Sequence, residues 1–180
     1  MQGRFWLANL TMNNILTYRT ASTSDIPQLK TLALLAYGQF KDVLGIENWK
    51  IMESNLSSEE KISELLSKAT CFVCADGTTI VGMAYLMPQG NPTPIFQADW
   101  SYLRLVAVYP DHNGKGIAKT LTQLCIDHAK QNNEHTVALH TSEFMDAARH
   151  IYEGFGFKQL KEIEPLFGKR YWIYTLDLDR

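Results

Sequence analysis

Residues 109–119 read YPDHNGKGIAK, two glycines and two lysines set between YLRLVAV (102–108) and TLTQLCIDHA (120–129). The first flank has the β-branched and aromatic content of a buried strand. The second puts Leu121, Leu124, Cys125 and His128 on one side of a helix. The loop therefore joins a strand to a helix N-terminus, and TVALH (136–140) completes a strand–helix–strand unit. A helix start offers unpaired N–H groups and partial positive charge, which suit a phosphate or pyrophosphate. Gly114 and Gly116 let backbone amides approach an anion closely, and Lys115 and Lys119 add charge. The same residues also suit a tight connection with solvated lysines, and spacing alone leaves both readings open. The GxxxxGK[ST] loop of nucleoside triphosphatases and the GxGxxG dinucleotide fingerprint are both absent.

The chain has 180 residues, a formal charge of −2 and 46% hydrophobic residues. That is one domain, and a chain of this size buries roughly 70% of the surface its unfolded form exposes. The charge gives no sign of a nucleic-acid binder, so an anionic ligand needs a local positive site. No run approaches the ~20 apolar residues of a membrane span, and FWLANL (5–10) is too short for a signal peptide. The expectation is a cytoplasmic protein with no nucleic-acid or membrane partner. Residues 1–14 read as an extension, with Met12 as an alternative start, and residues 15–180 as the domain. Cys71 and Cys74 form a CxxC, but TCFVCA (70–75) reads as a strand, which points them to opposite faces. No Cys/His set completes a zinc site, so no metal is expected.

Elsewhere, ILTYRTA (15–21) reads as a strand. STSDIP (22–27) starts a helix, with Thr23 or Ser24 as cap and Leu29, Leu32, Ala33, Ala36 and Phe40 at helical spacing. After Gly45 a second helix is expected from SNLSSEEK through ISELLSKA (54–69), with Ser57, Ser58 and Glu60 as a capping box. A hairpin follows, TCFVCA and TIVGMAYLM (79–87) around Asp76–Gly77, then a loop, PQGNPTP (88–94), and a central strand, DWSYLRLVAVY (99–109). MDAARHIYEG (145–154) reads as a helix ended by Gly154, and FKQLKEIE (157–164) and RYWIYTLDL (170–178) as a closing strand pair. The order predicts an α/β domain on a mixed sheet.

LRLVAVYPDHNGKGIAKTL (103–121) resembles the coenzyme-A-binding segment of the GNAT superfamily of N-acetyltransferases, L-x-V-x-P-x-x-[QR]-G-x-G-[ILV]-[GA]. Val106–Ala107–Val108, Pro110, Gly114, Gly116, Ile117 and Ala118 match it. AARHIYEGFGF (147–157) resembles the second mark, A-x-x-x-Y-x-x-x-G-F, with Tyr152 as its tyrosine. Asn113 departs from the usual Gln or Arg, and Met145 stands where an asparagine often precedes the last helix. The resemblance implies a single GNAT-like domain: a mixed, mostly antiparallel sheet of about six to seven strands, a splayed parallel central pair and about four flanking helices.

It further implies transfer of an acetyl group from acetyl-CoA, as co-substrate, to a primary amine by direct attack in a ternary complex. Val106, Ala107, Val108, Asn113, Gly114, Lys115, Gly116, Ile117, Ala118 and Lys119 would bind the cofactor. Tyr152 would be the general acid, since a phenol stays protonated where a thiolate forms. Glu143 or Asp99 would be the base, and His140 and His150 stand near. Tyr37, Phe40, Trp49, Tyr85, Phe96 and Trp100 either line an acceptor cleft or fill a core. The acceptor is a small-molecule or protein amine, and a homodimer is left open. The other reading is a non-catalytic acyl-CoA-binding module of the same fold.

Overall fold

The computed structural model describes residues 15–179, so the expected N-terminal extension lies outside the described residues. The strands are β1 (Leu16–Thr20), β2 (Thr70–Asp76), β3 (Thr79–Met87), β4 (Ser101–Val108), β5 (Thr136–Ser142), β6 (Lys158–Leu166) and β7 (Lys169–Asp177). The helices are α1 (Ile26–Gly38), α2 (Lys41–Leu44), α3 (Ile46–Ser57), α4 (Glu59–Lys68), α5 (Ile117–Gln131) and α6 (Asp146–Gly154). One 7-stranded sheet runs in the order β1-β2-β3-β4-β5-β7-β6. Only β4 and β5 are parallel, and every other neighbouring pair is antiparallel.

The sheet matches the expectation, and the helices outnumber it because α2 and α3 precede the expected second helix. In α3, Trp49 and Leu56 are buried and Met52 is partly so, a helical stripe hidden in sequence by the polar residues between. Gly45, at φ 77, separates α2 from α3. Ser58 caps α4 by accepting from the Lys61 N–H at 3.3 Å. Neither Thr23 nor Ser24 caps the start of α1; the turn that leads into it opens at Ser22, in a capping box with Asp25. Its carboxylate accepts from the Ser22 N–H and from both terminal nitrogens of Arg19, each at 2.8 Å, which ties β1 to the helix. The β2–β3 turn is Gly77–Thr78, one residue later than expected, because Asp76 still pairs with Thr79.

Both faces of the sheet are covered. On one, α1, α3 and α4 pack Leu29, Leu32 and Leu56 against Val73, Tyr85 and Tyr102. On the other, α5 and α6 pack Ile117, Leu121 and Tyr152 against Val81, Leu139 and Trp172. Cys71 lies in the first core and Cys74 in the second, on opposite faces of β2 as the strand reading requires. Burial raises the pKa of both thiols.

One glycine sets how closely α5 approaches the sheet. A Cβ on Gly82 of β3 would lie 2.5 Å from Ile117 Cγ2 and 3.0 Å from Leu121 Cδ1. The first turn of α5 therefore sits in a notch that only glycine leaves open. Gly82→Ala is expected to destabilise the fold by ~1–3 kcal/mol through overpacking. Pairing it with Ile117→Ala should recover part of that cost, so the two changes are non-additive. Urea unfolding midpoints of the two single variants and the double variant test this.

Candidate active site

The parallel pair at the centre of the sheet is joined only at one end. β4 meets β5 at Ser101↔Val137 and Tyr102↔Ala138, and the pairing stops there. On its other edge β4 slips against β3: Met83 pairs with Ala107 and Tyr85 with Arg104, so Leu105 and Val106 stand opposite Ala84. This is a β-bulge, and Leu105 takes φ 48 to make it. A bulge bends its strand. Beyond it the edges of residues 103–108 and 139–142 that face each other have no strand partner. Backbone donors and acceptors thus line a wedge inside the sheet, with Val106, Ala107 and Val108 on one side.

The glycine loop lies at the mouth of this wedge. Gly114 and Gly116 have φ 78 and φ 77, and a Cβ on either would meet nothing within 4 Å. Glycine is required there by backbone conformation, not by crowding. The N–H groups from Gly114 through Lys119 donate no hydrogen bond within the described residues. Asn113, Lys115 and Lys119 are exposed and form no ion pair there, while Ile117 is core and Ala118 half-buried. The loop is anchored from behind. His112 Nε2 lies 3.0 Å from an Asp76 carboxylate oxygen, and Tyr109 N–H bonds Val81 O at 2.7 Å. The sequence reading missed His112, since its partner comes from a hairpin 36 residues away.

Tyr152 enters from the same side as α5. The α6 helix ends in a Schellman motif: Gly156 N–H bonds Glu153 O at 2.9 Å, and Phe157 N–H bonds Tyr152 O at 3.1 Å. The residue in the left-handed region is Gly156, at φ 90, and not Gly154 as expected. The Phe157 ring packs edge-on against the Tyr152 ring at 5.9 Å. The tyrosine, glycine and phenylalanine of the motif are therefore one helix stop that fixes the tyrosine ring. The Tyr152 hydroxyl makes no hydrogen bond to a described residue. Burial raises its pKa well above the ordinary phenol value, with Tyr37 and Cys125 adding to the effect. Tyr37 belongs to the α1 face and Tyr152 to the α6 face, so the two phenols sense each other across the sheet.

On the α1 face a chain of rings borders the wedge. Tyr37, Phe40, Phe144, Tyr171, His140, Phe96 and Tyr102 follow one another with centroid spacings of 4.2–6.3 Å. Of the six aromatics singled out from sequence, Trp49, Tyr85, Phe96 and Trp100 are buried and serve the core. Tyr37 and Phe40 remain half-buried in this chain. The two expected base residues are separated. Glu143 follows the C-terminal end of β5, at the wide end of the wedge, and accepts from the Arg170 N–H at 3.1 Å. Asp99 is exposed in the turn before β4, beyond the closed end and six residues before the bulge. His150 is exposed on α6.

His140 Nδ1 is buried without a partner among the described residues. Burial, with a smaller contribution from the Arg104 guanidinium, lowers its pKa from 6.5 to about 4. The unfolded chain therefore takes up this proton first, and folded stability drops as pH falls from 6.5 toward 4. Between pH 7.5 and pH 5 the loss from this group is on the order of 2 kcal/mol. His140→Asn should remove that part of the acid sensitivity, read as the difference in urea midpoints between the two pH values.

This fold and site define a class: an α/β domain opened along one parallel strand pair, with the unbonded amides of a helix start at its mouth. The model of the Acetyltransferase (GNAT) family matches residues 40–157, and the chain belongs to that family. N-acetyltransferase 8F1 of Mus musculus is 31% identical over 152 residues, covering 83% of this chain and 65% of the mouse protein, so the chain spans just under two thirds of that relative's length. Among solved structures, PaiA N-acetyltransferase of Thermoplasma acidophilum, in complex with coenzyme A, has a TM-score of 0.74 at 17% identity, covering 91% of this chain and 99% of that one. The ribosomal-protein-S18-alanine N-acetyltransferase of Escherichia coli has a TM-score of 0.69 at 18% identity, covering 91% and 94%. Both share the fold.

Proposed function

We propose that this protein is an acetyl-CoA-dependent N-acetyltransferase that acts on a primary amine in a ternary complex. The observation that carries this reading is the wedge of unpaired strand backbone ending at the unbonded amides of residues 114–119. Free strand edges pair with an extended amide-containing chain as they would with another strand. Free amides at a helix start suit a pyrophosphate. A pantetheine arm attached to a pyrophosphate has both features, so the residues present fit coenzyme A. Lys115 and Lys119 supply local positive charge on a chain of net charge −2. The family relatives carry N-acetyltransferase names, which supports the same activity here.

Acetyl-CoA supplies an activated thioester. The chain's residues then have three tasks. Backbone N–H groups near Val108 polarise the thioester oxygen as charge develops on it. The ammonium form of the acceptor loses a proton to water, directly or through Glu143 at the wide end of the wedge. The amine nitrogen bonds the acetyl carbon as the carbon–sulfur bond breaks. Tyr152 gives its hydroxyl proton to the departing sulfur, and the proton the nitrogen sheds as the amide forms returns through water to the Tyr152 oxygen. The low dielectric that raises the phenol pKa raises that of the thiol as well, so shared burial does not by itself oppose this transfer. The Tyr152 hydroxyl, with no partner among the described residues, favours an enzyme over a module that only binds acyl-CoA. Three free buried cysteines fit a reducing compartment, and we place the reaction in the cytoplasm.

Two outcomes test the assignment. Replacing Gly114 and Gly116 together with valine meets no steric block but strains both backbones by ~1–2 kcal/mol each. Acetyl-CoA binding by calorimetry should vanish in a variant that remains folded by circular dichroism. Tyr152→Phe keeps the ring contact with Phe157 and removes only the hydroxyl. Its turnover, followed by thiol release over an amine panel, should fall ~10²–10⁴-fold with acetyl-CoA affinity nearly unchanged. Turnover within a fewfold of wild type, where chemistry limits the rate, would remove Tyr152 from the acid role.

A further inference from the structure

Arg104 is the one charged residue in the apolar strand β4. It pairs with Tyr85 across the ladder and so shares the α1 face with that residue. Its position is set by the pairing that ends at Tyr102 and the bulge that starts at Leu105, which places it beside the wedge. It is exposed, and it makes no ion pair or hydrogen bond with any described residue. Most single surface arginines need no explanation. This one stands in the middle of a central strand, where an apolar or β-branched residue would pack better. The groups that feel its charge are Tyr37, Tyr102 and His140, all members of the ring chain. Its charge adds to the burial that disfavours protonation of His140.

Resting on the acetyltransferase reading, we propose that the acceptor is a carboxylate-bearing amine with an apolar or aromatic body, and that Arg104 binds the carboxylate. A guanidinium offers a planar donor fork that matches a carboxylate bidentately. The half-buried rings of Tyr37, Phe40 and Phe144 supply the apolar wall. Amino-acid-like small molecules combine these features. A polyamine does not, since it would bring positive charge against Arg104. Arg104 is a specificity residue in this scheme and takes no part in bond making.

The test uses full-length protein saturated with coenzyme A and two matched product probes, N-acetyl-L-phenylalanine and N-acetylphenethylamine, which differ by the carboxylate. Wild type should bind the first ~10- to 100-fold more tightly, the range of a charge-assisted contact. Arg104→Gln should bring the two affinities together, and Arg104→Lys should restore part of the gap. Acetyl-CoA affinity in both variants serves as the folding control. Equal affinity of wild type for the two probes overturns the inference and leaves the acetyltransferase reading standing. So does a carboxylate preference that survives in Arg104→Gln. Failure of wild type to bind coenzyme A at all overturns both.

Discussion

The separation of β4 from β5 beyond Tyr102 is the constraint on which the site depends. A continuous parallel pair would close the sheet and leave no room for an extended ligand. The bulge at Leu105 prevents this at the cost of a leucine in the left-handed region, a strain of order 1–3 kcal/mol. Contacts on both sides hold it in place. Behind it Ser101 Oγ donates to Thr136 O at 3.0 Å and closes the narrow end of the wedge. Ahead of it Gly82 pairs with Val108, and Tyr109 N–H bonds Val81 O. The strand is thus fixed at its ends and displaced in its middle.

Three further devices point at the opening. The notch at Gly82 seats the first turn of α5 against the sheet, so the loop amides project from a rigid base. The contact between His112 and Asp76 holds the start of the loop to the β2–β3 hairpin. The Schellman stop after α6 fixes the Tyr152 ring through Phe157. Each is a packing or hydrogen-bond feature that needs no ligand to form. Preorganisation of this kind lowers the ordering cost of binding. The opposite face is built differently, from a chain of buried and half-buried rings and, among the described residues, the unpaired Arg104 guanidinium, which is where the proposed acceptor would sit.

Much of this was legible in the chain. The strand–glycine loop–helix order of residues 102–129 followed from hydrophobic period and glycine placement alone. The Tyr152–Gly156–Phe157 spacing marks the helix stop, whereas Gly154 merely stands at the end of the helical pattern. The helix α3 was obscured because its stripe is only three residues long among polar neighbours. Arg104 was visible as a charge in an apolar strand, a signal that goes unread unless its face is known.

Sequence alone determined most local choices: the seven strands, the helices α1, α4, α5 and α6, and the glycine loop that can present bare amides. These depend on neighbours a few residues apart, and periodicity records them directly. Tertiary structure alone decided where the sheet opens, that Asp99 lies at the closed end and Glu143 at the wide one, and that His112 meets Asp76. Those facts come from strand register and from packing between distant segments. A one-residue bulge at Leu105 changes register with little mark in the hydrophobic pattern, because apart from Arg104 the residues of β4 on both faces pack against helices and read as apolar either way.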